Sequence, residues 1–95
     1  MRRKLRRLAD VKAYCFSQFE RHFSAYAGLL QTARLLKGGD GLEAKMTLEL
    51  ELARAHLGVL QGIGDRELLD QVRERVHELE EVTGERVLAR LALGE

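Results

Sequence analysis

The longest regular pattern in the chain runs from about Leu5 to Leu36. At about 100° per residue, Leu5, Leu8, Val11, Cys15, Phe19, Phe23, Tyr26, Leu30 and Ala33 fall on one face. Arg6, Asp10, Ser17, Glu20, Arg21, Ser24 and Gln31 fall opposite. A broad apolar stripe with a polar back belongs to a helix laid against a core. Gly28, on the polar side, weakens this helix only modestly. The pattern stops at Lys37-Gly-Gly-Asp-Gly41, where Gly38 or Gly39 can adopt a left-handed terminating conformation. Asp40 followed by Glu43 reads as an N-cap with a capping-box-like partner for the next helix.

The second helix spans about Leu42 to Leu60 and carries two apolar stripes. One holds Leu42, Met46, Leu50, Ala53, Leu57 and Leu60; the other holds Leu48, Leu52, Ala55 and Val59. A helix apolar on two sides is expected to be covered on both, which makes it central. Gln61-Gly-Ile-Gly-Asp65 is the next turn, with Asp65 as N-cap. The third helix runs to about Thr83 through a narrow seam of Leu69, Val72, Val76 and Leu79, a spacing that resembles a coiled-coil face. Gly84 interrupts it, and Glu85 to Leu93 is expected to form a short last helix through Val87, Leu88 and Leu91.

The pattern therefore predicts an all-α fold: an antiparallel bundle of three long helices plus a short C-terminal one, with the first helix longest. Ninety-five residues form one domain, in which residues 1–12 are a basic N-terminal extension of the first helix. A first helix of more than 30 residues reaches roughly 50 Å, against about 30 Å for each of the other two. The first dozen residues are then expected to overhang, leaving Leu5, Leu8 and Val11 bare unless another chain covers them. These three and the second stripe of helix two (Leu48, Leu52 and Val59) are the expected oligomer interface. A homodimer is the expected state.

Charge changes this picture more than composition does. A net charge of +1 conceals a gradient: residues 1–12 carry +5, residues 13–41 carry +1 and residues 42–95 carry −5. Arg2, Arg3, Lys4, Arg6 and Arg7 crowd a helix N-terminus, where cations oppose the helix dipole. With Lys12 they are the candidate residues for an anionic partner. Nucleic-acid phosphates are one such partner; the acidic third helix of a neighbouring subunit is another. No aromatic side chain lies among these cations to stack on bases. An anionic membrane surface, with Leu5 and Leu8 inserted, is the least favoured partner; separately, no run approaches the roughly 20 apolar residues of a span. The absence of proline suits an all-helical chain. Few thermolabile residues hint at a thermophilic source, and a single cysteine makes a cytoplasmic location the default.

Few residues offer chemistry. Folding the first two helices back at Gly39 sets His22 opposite His56, with Glu49 two turns away on the same side. These three are the only polar constellation expected to converge inside. They lack an identified fourth ligand for a metal, so a hydrogen-bonded or surface-facing histidine pair is the expectation. Glu74-Arg-Val-His77 has the Glu-x-x-His spacing of di-iron bundles, but both residues fall on the charged back of helix three and read as solvated surface. Cys15, on the apolar face near Phe19, reads as a buried structural thiol. No phosphate-binding glycine loop, metal set, cofactor site or catalytic arrangement emerges. The expectation is a non-enzymatic interaction or scaffold subunit, with an accessory nucleic-acid-binding subunit as the runner-up.

Overall fold

The computed structural model describes residues 7–36 and 41–91, and these residues are helical or irregular with no strand among them. Helix α1 spans Leu8–Leu36, α2 spans Leu42–Ile63 and α3 spans Arg66–Thr83; a single 3-10 turn follows at Ala89–Leu91. At 29 residues α1 is the longest. Leu5 and the cations Arg2, Arg3, Lys4 and Arg6 lie outside the described residues, as do Gly38, Gly39 and Asp40.

The core is assembled from the stripes that periodicity marks. Cys15, Phe19, Phe23, Tyr26 and Leu30 enter from α1; Leu50, Ala53, Leu57 and Leu60 from α2; Val72, Val76 and Leu79 from α3. Phe19 and Phe23 stack with ring centroids 5.3 Å apart, and Phe23 meets Tyr26 at 6.2 Å. The α1 and α2 backbones approach one another far more closely than either approaches α3. Ion pairs tie α3 to α1 at two levels, Lys12 to Asp65 at 2.8 Å and Glu20 to Arg75 at 3.3 Å. Since both numbers rise together, α3 runs in the same direction as α1. The seam on α3 is thus a core face of its own chain.

Two helix ends differ from expectation. The N-cap of α2 is Gly41, at φ 90° with no side-chain cap bond; Asp40, the expected cap, lies outside the described residues. The chain enters α2 in a left-handed conformation that glycine adopts without strain. At its other end α2 continues through Ile63, three residues past Leu60, and closes with the Gly64 N–H donating to the Leu60 carbonyl at 3.0 Å. Asp65 caps α3 as expected, its carboxylate accepting from the Leu68 N–H at 3.1 Å.

The longer α2 alters what is covered near the start of α1. Val11 is half-buried and packs against the core, as do Leu68 and Leu69 from the first turn of α3. The expectation that Val11 would be bare is corrected, whereas Leu8 remains 59% exposed.

After α3 the chain does not resume an α-helix in the described residues. The Thr83 hydroxyl bonds the Leu79 carbonyl at 2.8 Å and accepts from the Glu85 N–H. Gly84 takes φ 76° with its N–H on the Glu80 carbonyl. One carboxylate oxygen of Glu80, Oε2, then accepts from the Val87 and Leu88 N–H groups at 2.7 and 2.8 Å. This double capture caps the single turn that follows and aims Val87, Leu88 and Leu91 into the core, where all three are buried. The segment through Leu91 therefore folds onto its own chain.

Candidate functional site

The hairpin of α1 and α2 brings His22 and His56 together, because a short connection fixes which residues lie opposite. Their rings stack with centroids 6.0 Å apart and planes 15° from parallel. Glu49 reaches His22, with Oε1 2.7 Å from Nδ1. The Nδ1 of His56 lies 2.9 Å from the Leu52 carbonyl one turn earlier in α2. A carbonyl can only accept, so Nδ1 of His56 is the donor. The edge of Tyr14 meets the His56 ring at 6.0 Å. Among the described residues no group of three or more histidine, cysteine or acidic side chains is arranged to hold a metal ion.

Beside this cluster lies the second stripe of α2. Leu48 is 55% and Val59 44% exposed, Ala55 is exposed and Leu52 is half-buried. The expectation that α2 would be covered on both sides holds on one side only within this chain. The first stripe meets the aromatic face of α1; among the described residues no element covers the second. Tyr14, 46% exposed, adds an aromatic ring at the α1 edge of this face. It escapes a reading of sequence because it sits off the apolar stripe of α1, and only the hairpin register places it against His56.

The remaining candidates are engaged or exposed. Lys12, counted among the cations for an anionic partner, donates to Asp65 Oδ2 at 2.8 Å. That bond, with the Leu68 N–H, holds the Asp65 carboxyl below its usual range. Arg7 is exposed at the start of the described chain. His77 pairs with Glu80 Oε1 at 3.2 Å, while Glu74 is exposed, so the two residues of the Glu-x-x-His spacing do not converge on one site. Cys15 is buried, and desolvation pushes its thiol up, which disfavours the reactive thiolate. Glu80 is held below the usual carboxylate range, chiefly by the Leu88 and Val87 N–H groups.

A shallow cleft of about 300 Å³ opens where the C-terminal turn meets α1 and α2, lined by Tyr26, Glu43, Thr47, Glu85 and Arg90 among others. Arg90 Nη1 donates to the Tyr26 hydroxyl at 3.4 Å. Burial raises the Tyr26 phenol and the Arg90 charge partly opposes it. The cleft thus joins a closing segment to the bundle.

The described residues define an all-helical chain, in which no helix is long and apolar enough to cross a membrane. Comparison with protein-family models, with curated proteins and with solved structures returns no match.

Proposed function

We propose that this chain is a non-enzymatic helical interaction subunit that self-associates or joins a larger assembly through the outer face of α2. One observation carries the reading: α2 has two apolar stripes, and the fold buries only the first. Leu48 and Val59 stand exposed on either side of half-buried Leu52. Aliphatic side chains in a row on one helix form a contiguous apolar strip, whereas scattered exposed leucines need no explanation. Leu8, exposed near the start of α1, is a further apolar side chain available to a partner. Light scattering on the purified chain tests the reading: a mass above that of one 10.8 kDa chain supports self-association. A monomer that also retains no partner in a pull-down from its own cells, while Leu48→Glu leaves its solubility unchanged, refutes it.

The second reading is an accessory nucleic-acid-binding subunit, favoured by the density of Arg2, Arg3, Lys4, Arg6 and Arg7 in the first seven residues. Phosphate contacts by such cations release counterions, so affinity would fall steeply with salt. Binding of short DNA or RNA that vanishes after Arg2, Arg3, Arg6 and Arg7 become Ala supports this reading; no binding at low salt removes it.

A further inference from the structure

We infer that the partner on the outer face of α2 is a second copy of this chain, packed α2 against α2 in antiparallel fashion about a two-fold axis between Leu52 and Ala55. The inference rests on the self-association reading above and adds the occupant and its register.

Leu48, Leu52, Ala55 and Val59 follow one another at spacings of four, three and four. That is the d-a-d-a alternation of two heptads, the pattern by which one helix seats another. All four lie outside the chain's own buried core. The next seam positions, three residues beyond either end, are Lys45 and Gly62, so the seam stops at both ends and is centred between Leu52 and Ala55. A seam symmetric about its own centre is self-complementary, as a two-fold interface requires. Reversing the second helix about that centre sets Leu48 against the partner's Val59, and Leu52 against the partner's Ala55. A large side chain then meets a smaller one in every layer.

Charge is compatible with the same orientation. Glu49 and His56 occupy equivalent flanking positions one heptad apart, on the side of the seam toward α1. The antiparallel register places Glu49 across from the partner's His56, and the two-fold axis repeats the pair. A parallel register would instead leave Glu49 facing the partner's Ala44 and set His56 across from the partner's Glu51. Glu49 uses Oε1 on His22, and His56 uses Nδ1 on the Leu52 carbonyl, so Glu49 Oε2 and His56 Nε2 are the atoms left for the partner, and they bond when the imidazole carries a proton on both nitrogens. Tyr14, against the edge of His56, widens the face toward α1. Two heptads are short beside the roughly 1,200–2,000 Å² of a stable interface, so the dimer is expected to dissociate in the micromolar range.

The test is sedimentation equilibrium on the full chain and on Leu48→Lys, Val59→Glu and the double variant carrying both. Each single substitution sets an unpaired charge against an aliphatic partner and is expected to weaken the dimer at least about tenfold. In the double variant each lysine meets the partner's glutamate, so affinity is expected to recover to within a few-fold of wild type. Positions 48 and 59 are three turns apart on one helix, too far to pair within a chain, and a parallel dimer would oppose like charges; only the antiparallel register gives recovery. Both sites are exposed, so unchanged melting of the monomers confirms that the fold is intact. Singles that dimerise like wild type would overturn this interface while leaving self-association standing. Weakened singles without recovery in the double variant would overturn the register. A wild-type chain monomeric up to about 0.1 mM would overturn this inference together with the self-association half of the reading it rests on.

Discussion

Glu80 offers the sharpest test of the structural account, because one carboxylate oxygen captures two backbone N–H groups at the start of the closing turn. Its Oε2 accepts from the Val87 and Leu88 N–H groups, and the side chain is only 20% exposed. A hydrogen bond to a charged acceptor contributes about 1.5–3 kcal/mol net, roughly twice a neutral one. Partial exposure places both bonds at the lower end of that range. Glu80→Ala removes both and is expected to cost about 3 kcal/mol. Glu80→Gln keeps an acceptor oxygen but loses the charge, and is expected to cost about half as much. In a domain of this size those losses correspond to melting-temperature drops of roughly 15 and 8 °C near neutral pH. The pH dependence follows from the depressed carboxyl, whose ordinary value is 4.5. Stability from a group whose folded pKa is lowered is fully present above the unfolded value and is lost as pH falls through the folded one. Wild type and Glu80→Gln should therefore differ near pH 7 and converge below the folded pKa, where wild type too is neutral. Urea titrations followed by circular dichroism at a series of pH values measure both effects. A Glu80→Ala protein that melts within about 3 °C of wild type, or a Gln variant whose deficit persists unchanged into acid, would refute this role for the carboxylate.

Other outcomes follow from the same packing. Leu57 is wholly buried, so Leu57→Ala should lower unfolding free energy by about 2–5 kcal/mol in urea titration; a loss under 1 kcal/mol would place Leu57 at the surface. Gly84 sits at φ 76° with open space around it, so Gly84→Ala should cost about 1–2 kcal/mol from backbone strain alone. Gly28→Ala, in mid-helix with no neighbour within 4 Å, should instead raise the melting temperature slightly. Cys15 should react with a thiol reagent only as fast as the protein opens, and at least about a hundredfold faster in denaturant; rapid labelling of the native chain would show the thiol to be accessible.

Much of this architecture was legible in the residues themselves. The apolar stripes of α1 and α3, the cap at Asp65 and the stop at Gly84 are local features, and each is decided within a few residues by periodicity, hydrogen-bonding side chains or backbone freedom. The pairing of His22 with His56 was also legible, because a short connection leaves an antiparallel hairpin little choice of register. Other features were decided only when the elements came together. Periodicity shows that α2 has two apolar faces, but which one is buried depends on the aromatic face that α1 presents to it, and the second is left outside. Three more residues of α2 than the glycines suggested bring the start of α3 level with Val11. Lys12 and Asp65 meet across 53 residues of chain, and Glu80 binds backbone groups seven and eight positions ahead. Such contacts join a side chain to a partner in an aperiodic or distant segment, so they leave no repeating mark along the chain; only the packed structure brings the two ends of each bond together.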